Sequence, residues 1–361
     1  MIVTRTPFRI TLGGGGTDLP AYYRRRGGFV FAAAINKYMV INLNRPVVDD
    51  LVRVKYTRSE IVPHRDLLEH EIAREALRLV GIERGVEIVS MADVPAGTGL
   101  GSSSCYAVGL LNALHTLQRR PLGPAALAEQ ACRLEMDVLG KPVGKQDQYM
   151  AAFGGLTVLD ISTDGRVTVR PARVSEETLE ELRRNTLLFY TGTERNALDI
   201  LAEQSCAAAA ASDRVVANLD RIKEMGWQIL EWIEAGDLTS FGLALDRHWQ
   251  AKKHLSSKVT NPRFDALYEL ARANGALGGK ISGAGGGGFF LFYTESHHQR
   301  LREVMREAGL REMRYGFDFE GSKVLVNFLD GTLQSTLTEE PALAAAQPAG
   351  TGRAEGRQWP A

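Results

Sequence analysis

The chain has 361 residues, 44% hydrophobic and 24% charged. That length suits two domains of about 150 residues each, and the composition excludes wholesale disorder. Its 43 Lys and Arg balance 43 Asp and Glu, so whole-chain charge gives no reason to expect nucleic acid or an anionic membrane. Three separated cysteines, Cys105, Cys132 and Cys206, exclude a disulfide scaffold and read as buried free thiols of a cytoplasmic protein. No apolar stretch reaches the roughly 18 residues of a membrane span, and a glycine run follows Arg5 and Arg9 where a signal peptide needs an apolar segment.

Residues 1–12 predict a strand, with Phe8, Ile10 and Leu12 in period-two alternation. Gly13-Gly14-Gly15-Gly16 interrupts it, and Thr17-Asp18-Leu19-Pro20 reads as a turn or helix start. Residues 29–43 predict one or two strands, 52–58 another, 64–80 a helix stopped by Gly81, and 86–91 a strand. A glycine-rich loop over 93–101 precedes a mostly apolar helix over 104–117 and a second helix over 124–138. Residues 144–160 read as glycine-broken strands, 186–190 as a strand, and 194–235 as more than one helix. Helices over 238–255, 262–273 and 298–308 follow, with a glycine cluster over 278–288 and strands over 289–292 and 323–327. This mixture predicts an α+β protein with an N-terminal domain over 1–184 and a C-terminal domain over 185–335. The segment 336–361 shifts to Glu, Pro, Ala, Gly and Gln and is expected to be a flexible tail.

The strongest chemical signal is Pro95-Ala96-Gly97-Thr98-Gly99-Leu100-Gly101-Ser102-Ser103-Ser104. Glycines let backbone N–H groups approach an anion, and a following helix adds unpaired donors and a favourable dipole. No Lys follows the last glycine, so the run is not a Walker A loop, and no downstream acidic partner makes it a dinucleotide fingerprint. On local pattern alone, phosphate binding and a capped helix after a tight turn both stay open. Trp227 and Trp232 read as packing residues, His297-His298 lacks a third metal ligand, and Arg24-Arg25-Arg26 reads as a solvated face.

Three ordered segments carry a family resemblance: Arg9 to Asp18, Pro95 to Ser104, and Lys280 to Gly288. Together they resemble the GHMP small-molecule kinases, named for galactokinase, homoserine kinase, mevalonate kinase and phosphomevalonate kinase. The resemblance implies a two-domain fold with the active site in the inter-domain cleft, and an ATP-dependent phosphotransferase using Mg²⁺. It puts Pro95, Gly97, Gly99, Leu100, Gly101, Ser102, Ser103 and Ser104 at ATP, and Ser103 with Glu135 at the metal. Asp147, within Gly144-Lys145-Gln146-Asp147-Gln148-Tyr149, aligns with the catalytic aspartate and Arg9 with the active-site arginine. Gly15, Gly16, Thr17 and Asp18 fall at the sugar, as do Thr191, Gly285 and Gly286.

Within the family, these segments together with Tyr190 to Arg195 and His248-Trp249 with Lys253 resemble the members acting on D-glycero-D-manno-heptose 7-phosphate. Galactokinases carry Gly-Glu-His-Thr-Asp where this chain has Gly14-Gly15-Gly16-Thr17-Asp18, so the acidic contact to galactose is absent. Arg195 and Lys253 are the cations expected to receive a distal phosphate. The implied reaction phosphorylates the anomeric hydroxyl to give a 1,7-bisphosphate. Two alternatives stand beside it: an anomeric kinase for an unphosphorylated sugar such as fucose or a related cyclitol, and a catalytically silent sugar-binding regulator. Retention of Arg9, Ser103, Glu135 and Asp147 together argues against the silent protein. The expected partner is a small sugar or sugar phosphate, with no nucleic acid and no membrane, and a homodimer is left open.

Overall fold

The computed structural model describes residues 1–193, 200–203, 205–206 and 213–328. In chain order, β1 (Ile2–Gly13), α1 (Pro20–Arg26), β2 (Gly28–Asn44), β3 (Val52–Lys55), β4 (Ser59–Val62), α2 (Glu71–Leu79) and β5 (Val86–Ala92) come first. Next are α3 (Ser102–Leu117), α4 (Pro124–Cys132), α5 (Gln146–Phe153), β6 (Leu156–Ile161), β7 (Val167–Pro171), α6 (Glu176–Asn185) and β8 (Thr186–Tyr190). The last group is α7 (Asp213–Ala235), α8 (Leu238–Lys253), α9 (Pro262–Ala273), β9 (Gly278–Ile281), β10 (Phe289–Tyr293), α10 (His298–Glu307), β11 (Arg311–Glu312) and β12 (Lys323–Asn327).

Two sheets organise these elements. The larger runs β12-β1-β2-β5-β3-β4, with β6 on the other half of β2 and β7 beyond it. The 17 residues of β2 serve two neighbours, with residues 39–44 against β5 and 28–33 against β6. The smaller, antiparallel sheet runs β11-β8-β10-β9. Its core joins Phe189, Phe290 and Phe292 to Trp249, Phe264 and Tyr268 from the covering helices. The expected boundary at 184/185 falls where the chain leaves the first sheet for the second, yet β12 returns to pair with β1.

Several elements differ from the sequence reading. Residues 146–153 form a helix, not a strand, because Gln-Asp-Gln-Tyr-Met-Ala-Ala-Phe has no β-branched residue to oppose it. The helix expected over 64–80 is a short 3₁₀ turn followed by α2, whose start is set by the His70 side chain accepting the Ala73 N–H at 3.2 Å. The helix expected over 124–138 becomes a wider, π-type turn at Arg133–Val138. β4, β7 and α6 are additional, and Ser175, whose hydroxyl accepts the Thr178 N–H at 3.1 Å, is the cap signal for α6. Cys105 and Cys132 are buried free thiols, but Cys206 is exposed, correcting its expected burial. The 336–361 segment lies outside the described residues.

Candidate active site

Strand periodicity supplies the first functional side chain. Phe8, Ile10 and Leu12 point into the core of β1, so Arg9 and Thr11 share the opposite face. That face lines a cavity of about 930 Å³. Arg9 Nε and Nη2 both lie 2.7 Å from Asp147 Oδ1, while Arg9 Nη1 donates to the Gly99 carbonyl at 2.7 Å. The guanidinium side chain is 3% exposed and the Asp147 side chain 25%, so the pair meets the cavity through its carboxylate. Asp147 sits in the first turn of α5, where the helix dipole favours a negative charge. Beside it, Thr11 Oγ1 donates to Gln146 Oε1 at 2.8 Å.

Asp18 lies across from this pair, buried at the end of the glycine run. Its Oδ1 accepts the Gly16 N–H at 3.0 Å and its Oδ2 the Gln146 N–H at 3.1 Å. Burial pushes its carboxyl above the usual carboxylate range, with the Asp147 charge adding to the rise and the backbone donors opposing it. A Cβ at Gly144 would stand 1.9 Å from Asp18 Oδ2, so only glycine permits this approach. Gly15 and Gly16 line the same part of the cavity.

The glycine-rich loop enters α3 through Gly101, whose φ of +87° is left-handed and suits glycine. No side chain caps the N-terminus of α3, so its first backbone N–H groups stay available to an anion. Pro95, Gly97, Gly99, Gly101 and Ser102 to Ser104 line the cavity here, while Leu100 is buried and its carbonyl accepts the Arg9 backbone N–H at 3.2 Å. The π-type turn after α4 brings Glu135 under the loop. Glu135 accepts from Ser103 Oγ at 2.5 Å, Ser104 Oγ at 2.6 Å and Gln148 Nε2 at 2.7 Å. Burial raises its carboxyl although these three donors favour the anion. Among the described residues no cluster of three or more His, Cys, Asp or Glu side chains could hold a metal. A single carboxylate and a hydroxyl beside a phosphate loop instead fit Mg²⁺, which keeps waters and takes phosphate oxygens.

Other sequence candidates lie in different places. Thr17 Oγ1 donates to the Gly14 and Phe29 carbonyls and fixes the turn from within. Thr191 holds the Gly288 carbonyl through both its N–H and its hydroxyl, at 2.9 and 3.0 Å. Gly285 packs beside Val259, and the Gly286 N–H donates to the Val259 carbonyl at 2.8 Å. Lys253 faces Asp265 at 3.6 Å and does not line the cavity. Arg195 lies outside the described residues.

Its neighbour Lys252 lines the cavity instead, with His248 and Lys280. In the sequence, Lys280 and His248 stand only inside longer motifs, and Lys252 belongs to none of them. The i, i+4 spacing of His248 and Lys252 on a predicted helix was the available signal.

The cavity also has an apolar end, lined by Met39, Tyr56, Ile72, Met91, Val94 and Tyr106. No helix among the described residues is long and apolar enough to cross a membrane.

The model of GHMP kinases N terminal domain matches residues 68–155, and that of GHMP kinases C terminal matches residues 229–310. The D-glycero-alpha-D-manno-heptose 7-phosphate kinase of Campylobacter jejuni is 30% identical over 335 residues, covering 89% of this chain and 98% of its own. The L-fucokinase/L-fucose-1-P guanylyltransferase of Bacteroides fragilis is 27% identical over 340 residues, 84% of this chain and 36% of that larger protein. In fold, the chain is similar to a D-glycero-D-manno-heptose 1-phosphate kinase from Bacteriodes thetaiotaomicron. The TM-score is 0.73 at 24% identity, covering 91% of this chain and 100% of that structure.

Proposed function

The chain belongs to the GHMP kinases, as an ATP-dependent phosphotransferase acting on a sugar hydroxyl, and we propose that it phosphorylates the anomeric hydroxyl of D-glycero-D-manno-heptose 7-phosphate. The observation that carries the chemistry is the Arg9–Asp147 pair, set between the glycine loop at α3 and the Asp18 turn. The acceptor identity rests on the similarity to the Campylobacter jejuni enzyme across nearly the whole of both chains.

The acceptor lies against Gly15, Gly16 and Asp18, whose carboxyl oxygens face sugar hydroxyls. Asp147 takes the anomeric proton as that oxygen bonds to the terminal phosphorus of ATP. The bond from this phosphorus to the bridging oxygen breaks, and ADP leaves with the electron pair. Arg9 holds Asp147 in place, and its charge offsets that on the transferring phosphoryl oxygens. Ser103 and Glu135 would hold Mg²⁺, which when bound neutralises phosphate charge. A cytoplasmic setting agrees with three free thiols.

The test is a panel of free and phosphorylated sugars with ATP and Mg²⁺, following ADP release and locating the new phosphate by ³¹P NMR. The expected result is the highest kcat/KM with D-glycero-D-manno-heptose 7-phosphate and a new phosphate at C1. A preference for free heptose, galactose or fucose would overturn the acceptor assignment. Phosphate at another carbon would overturn the anomeric assignment.

A further inference from the structure

Three buried basic side chains in the cavity have no part in the transfer just described. His248 and Lys252 stand one turn apart on α8, and Lys280 projects from β9. They are 2%, 7% and 3% exposed. Lys252 Nζ donates to the Ile281 carbonyl at 2.8 Å and the Gly283 carbonyl at 2.5 Å, and Lys280 Nζ donates to the Leu12 carbonyl at 2.9 Å. Among the described residues no carboxylate pairs with either ammonium. Both ring nitrogens of His248 are buried and, among the described residues, have no hydrogen-bond partner.

These groups also repel one another. Lys252 feels Arg9, Lys280 feels Lys252 and Arg9, and His248 feels both lysines. Arg9 has its own counter-charge in Asp147. Buried basic groups crowded together without an anion are unfavourable, and an anion entering the cavity would relieve them. An ammonium has three donors, so Lys252 keeps one and Lys280 two beyond their carbonyl bonds.

The position of the cluster distinguishes between two anions. The nucleotide phosphates already have the bare N-terminus of α3 and the loop at Gly101. Lys280, by contrast, holds the carbonyl of Leu12, immediately before the glycine turn that ends in Asp18. Lys280 thus ties the cluster to the strand that leads into the acceptor turn, while Lys252 reaches Gly283, which packs on Gly99 of the nucleotide loop; of the two anions, the acceptor's is the one that the α3 donors leave unprovided for.

We propose that Lys252, Lys280 and His248 form the subsite for the phosphate that the sugar acceptor already carries. This rests on the kinase reading above and deepens it. The ammonium groups supply charge-assisted hydrogen bonds, His248 supplies a ring N–H, and the enclosed wall admits a phosphate but penalises a free hydroxymethyl group by leaving the cluster unpaired.

The test compares wild type with Lys252→Met and His248→Leu, each assayed with D-glycero-D-manno-heptose 7-phosphate and with free heptose at fixed ATP and Mg²⁺. Met keeps the length of Lys252 without its charge, although it gives up the bonds to the Ile281 and Gly283 carbonyls, and His248 has no hydrogen bond among the described residues to lose. The expected result for Lys252→Met is a roughly 10- to 100-fold fall in kcat/KM for the phosphorylated sugar. His248→Leu should fall less, and in both variants kcat/KM for free heptose should fall less than for the phosphorylated sugar, so that the preference between the two narrows. Equal losses on both sugars would place the cluster at the transferring group, and unchanged values on both would make it structural. Either result overturns the proposal. Calorimetry with inorganic phosphate, the nucleotide site filled with ADP and Mg²⁺, separates this failure from that of the acceptor reading. Phosphate binding that is lost in Lys252→Met supports the subsite even if the sugar panel selects a different acceptor. Undetectable phosphate binding by the wild type overturns it.

Discussion

Arg9 engages Asp147 through a single carboxylate oxygen: Nε and Nη2 both reach Oδ1 at 2.7 Å, and neither bond uses Oδ2. Oδ2 faces the loop at Gly101, where a Cβ would lie 3.3 Å from it, and the Asp147 side chain as a whole is 25% exposed. One oxygen anchors the carboxylate, and in the proposed reaction the other takes the proton.

Asp147→Asn keeps an oxygen for Arg9 but loses the base. Turnover should fall by roughly 10²-fold or more, while the affinities for ATP and acceptor stay near wild type. Steady-state kinetics paired with calorimetry reads both quantities. Near-normal turnover in the folded variant would remove Asp147 from the reaction.

Gly101→Val places a β-branched side chain at a φ of +87°, directly against the Asp147 carboxylate. The left-handed conformation alone costs an L-residue roughly 1–2 kcal/mol. The turn must shift, so ATP affinity should weaken by roughly tenfold or more as the α3 donors lose their aim. Unchanged ATP affinity by calorimetry, with an unchanged thermal midpoint, would contradict the assignment of this loop.

Glu135→Gln tests the metal site. The variant's single amide oxygen can still accept from one of Ser103 and Ser104, but it no longer carries the charge a divalent cation needs. The Mg²⁺ concentration for half-maximal rate should rise by roughly tenfold or more, with little change in the acceptor KM. An unaltered Mg²⁺ titration would move the metal elsewhere.

Burial, and next the charge of Arg9, lowers Lys252 from 10.5 to about 7. Lys280 from β9 and His248 one turn earlier also face it, both lowered by burial and by neighbouring positive charge. Above about 7 the folded chain has released the Lys252 proton while the unfolded chain retains it, so this group's contribution to stability rises with pH from about 7 to 10.5. Below about 7 both states hold the proton and the burial penalty applies in full. Phosphate binding favours the ammonium form, so at pH 8 binding should draw protons from solution. Calorimetry in buffers of different ionisation enthalpy measures that uptake. Wild type should show it, and Lys252→Met should show less.

Local patterning by itself marked β1 and the loop before α3, but not β4, β7, α6 or the helical state of residues 146–153. Alternation on 1–12 put Arg9 opposite Phe8 and Ile10, and the glycine spacing before Ser102 marked a loop entering a buried helix. The family resemblance was carried by the same short segments, whose backbone requirements restrict residue choice directly. What the chain order leaves undecided is how remote segments meet. Arg9 and Asp147 are 138 residues apart, Ser103 and Glu135 are 32 apart, and Leu12 and Lys280 are 268 apart. Their contacts depend on the pairing of β1 with β2, the turn after α4 and the packing of the second sheet. Lys252 and Lys253 show the difference most sharply. Adjacent in sequence and identical in chemistry, they are separated by about 100° around α8. That rotation sends Lys252 to the carbonyls of the glycine loop and Lys253 to Asp265. The i, i+4 spacing places Lys252 on the His248 face, but which face meets the cavity is set by the orientation of the helix against β9, a matter of tertiary packing.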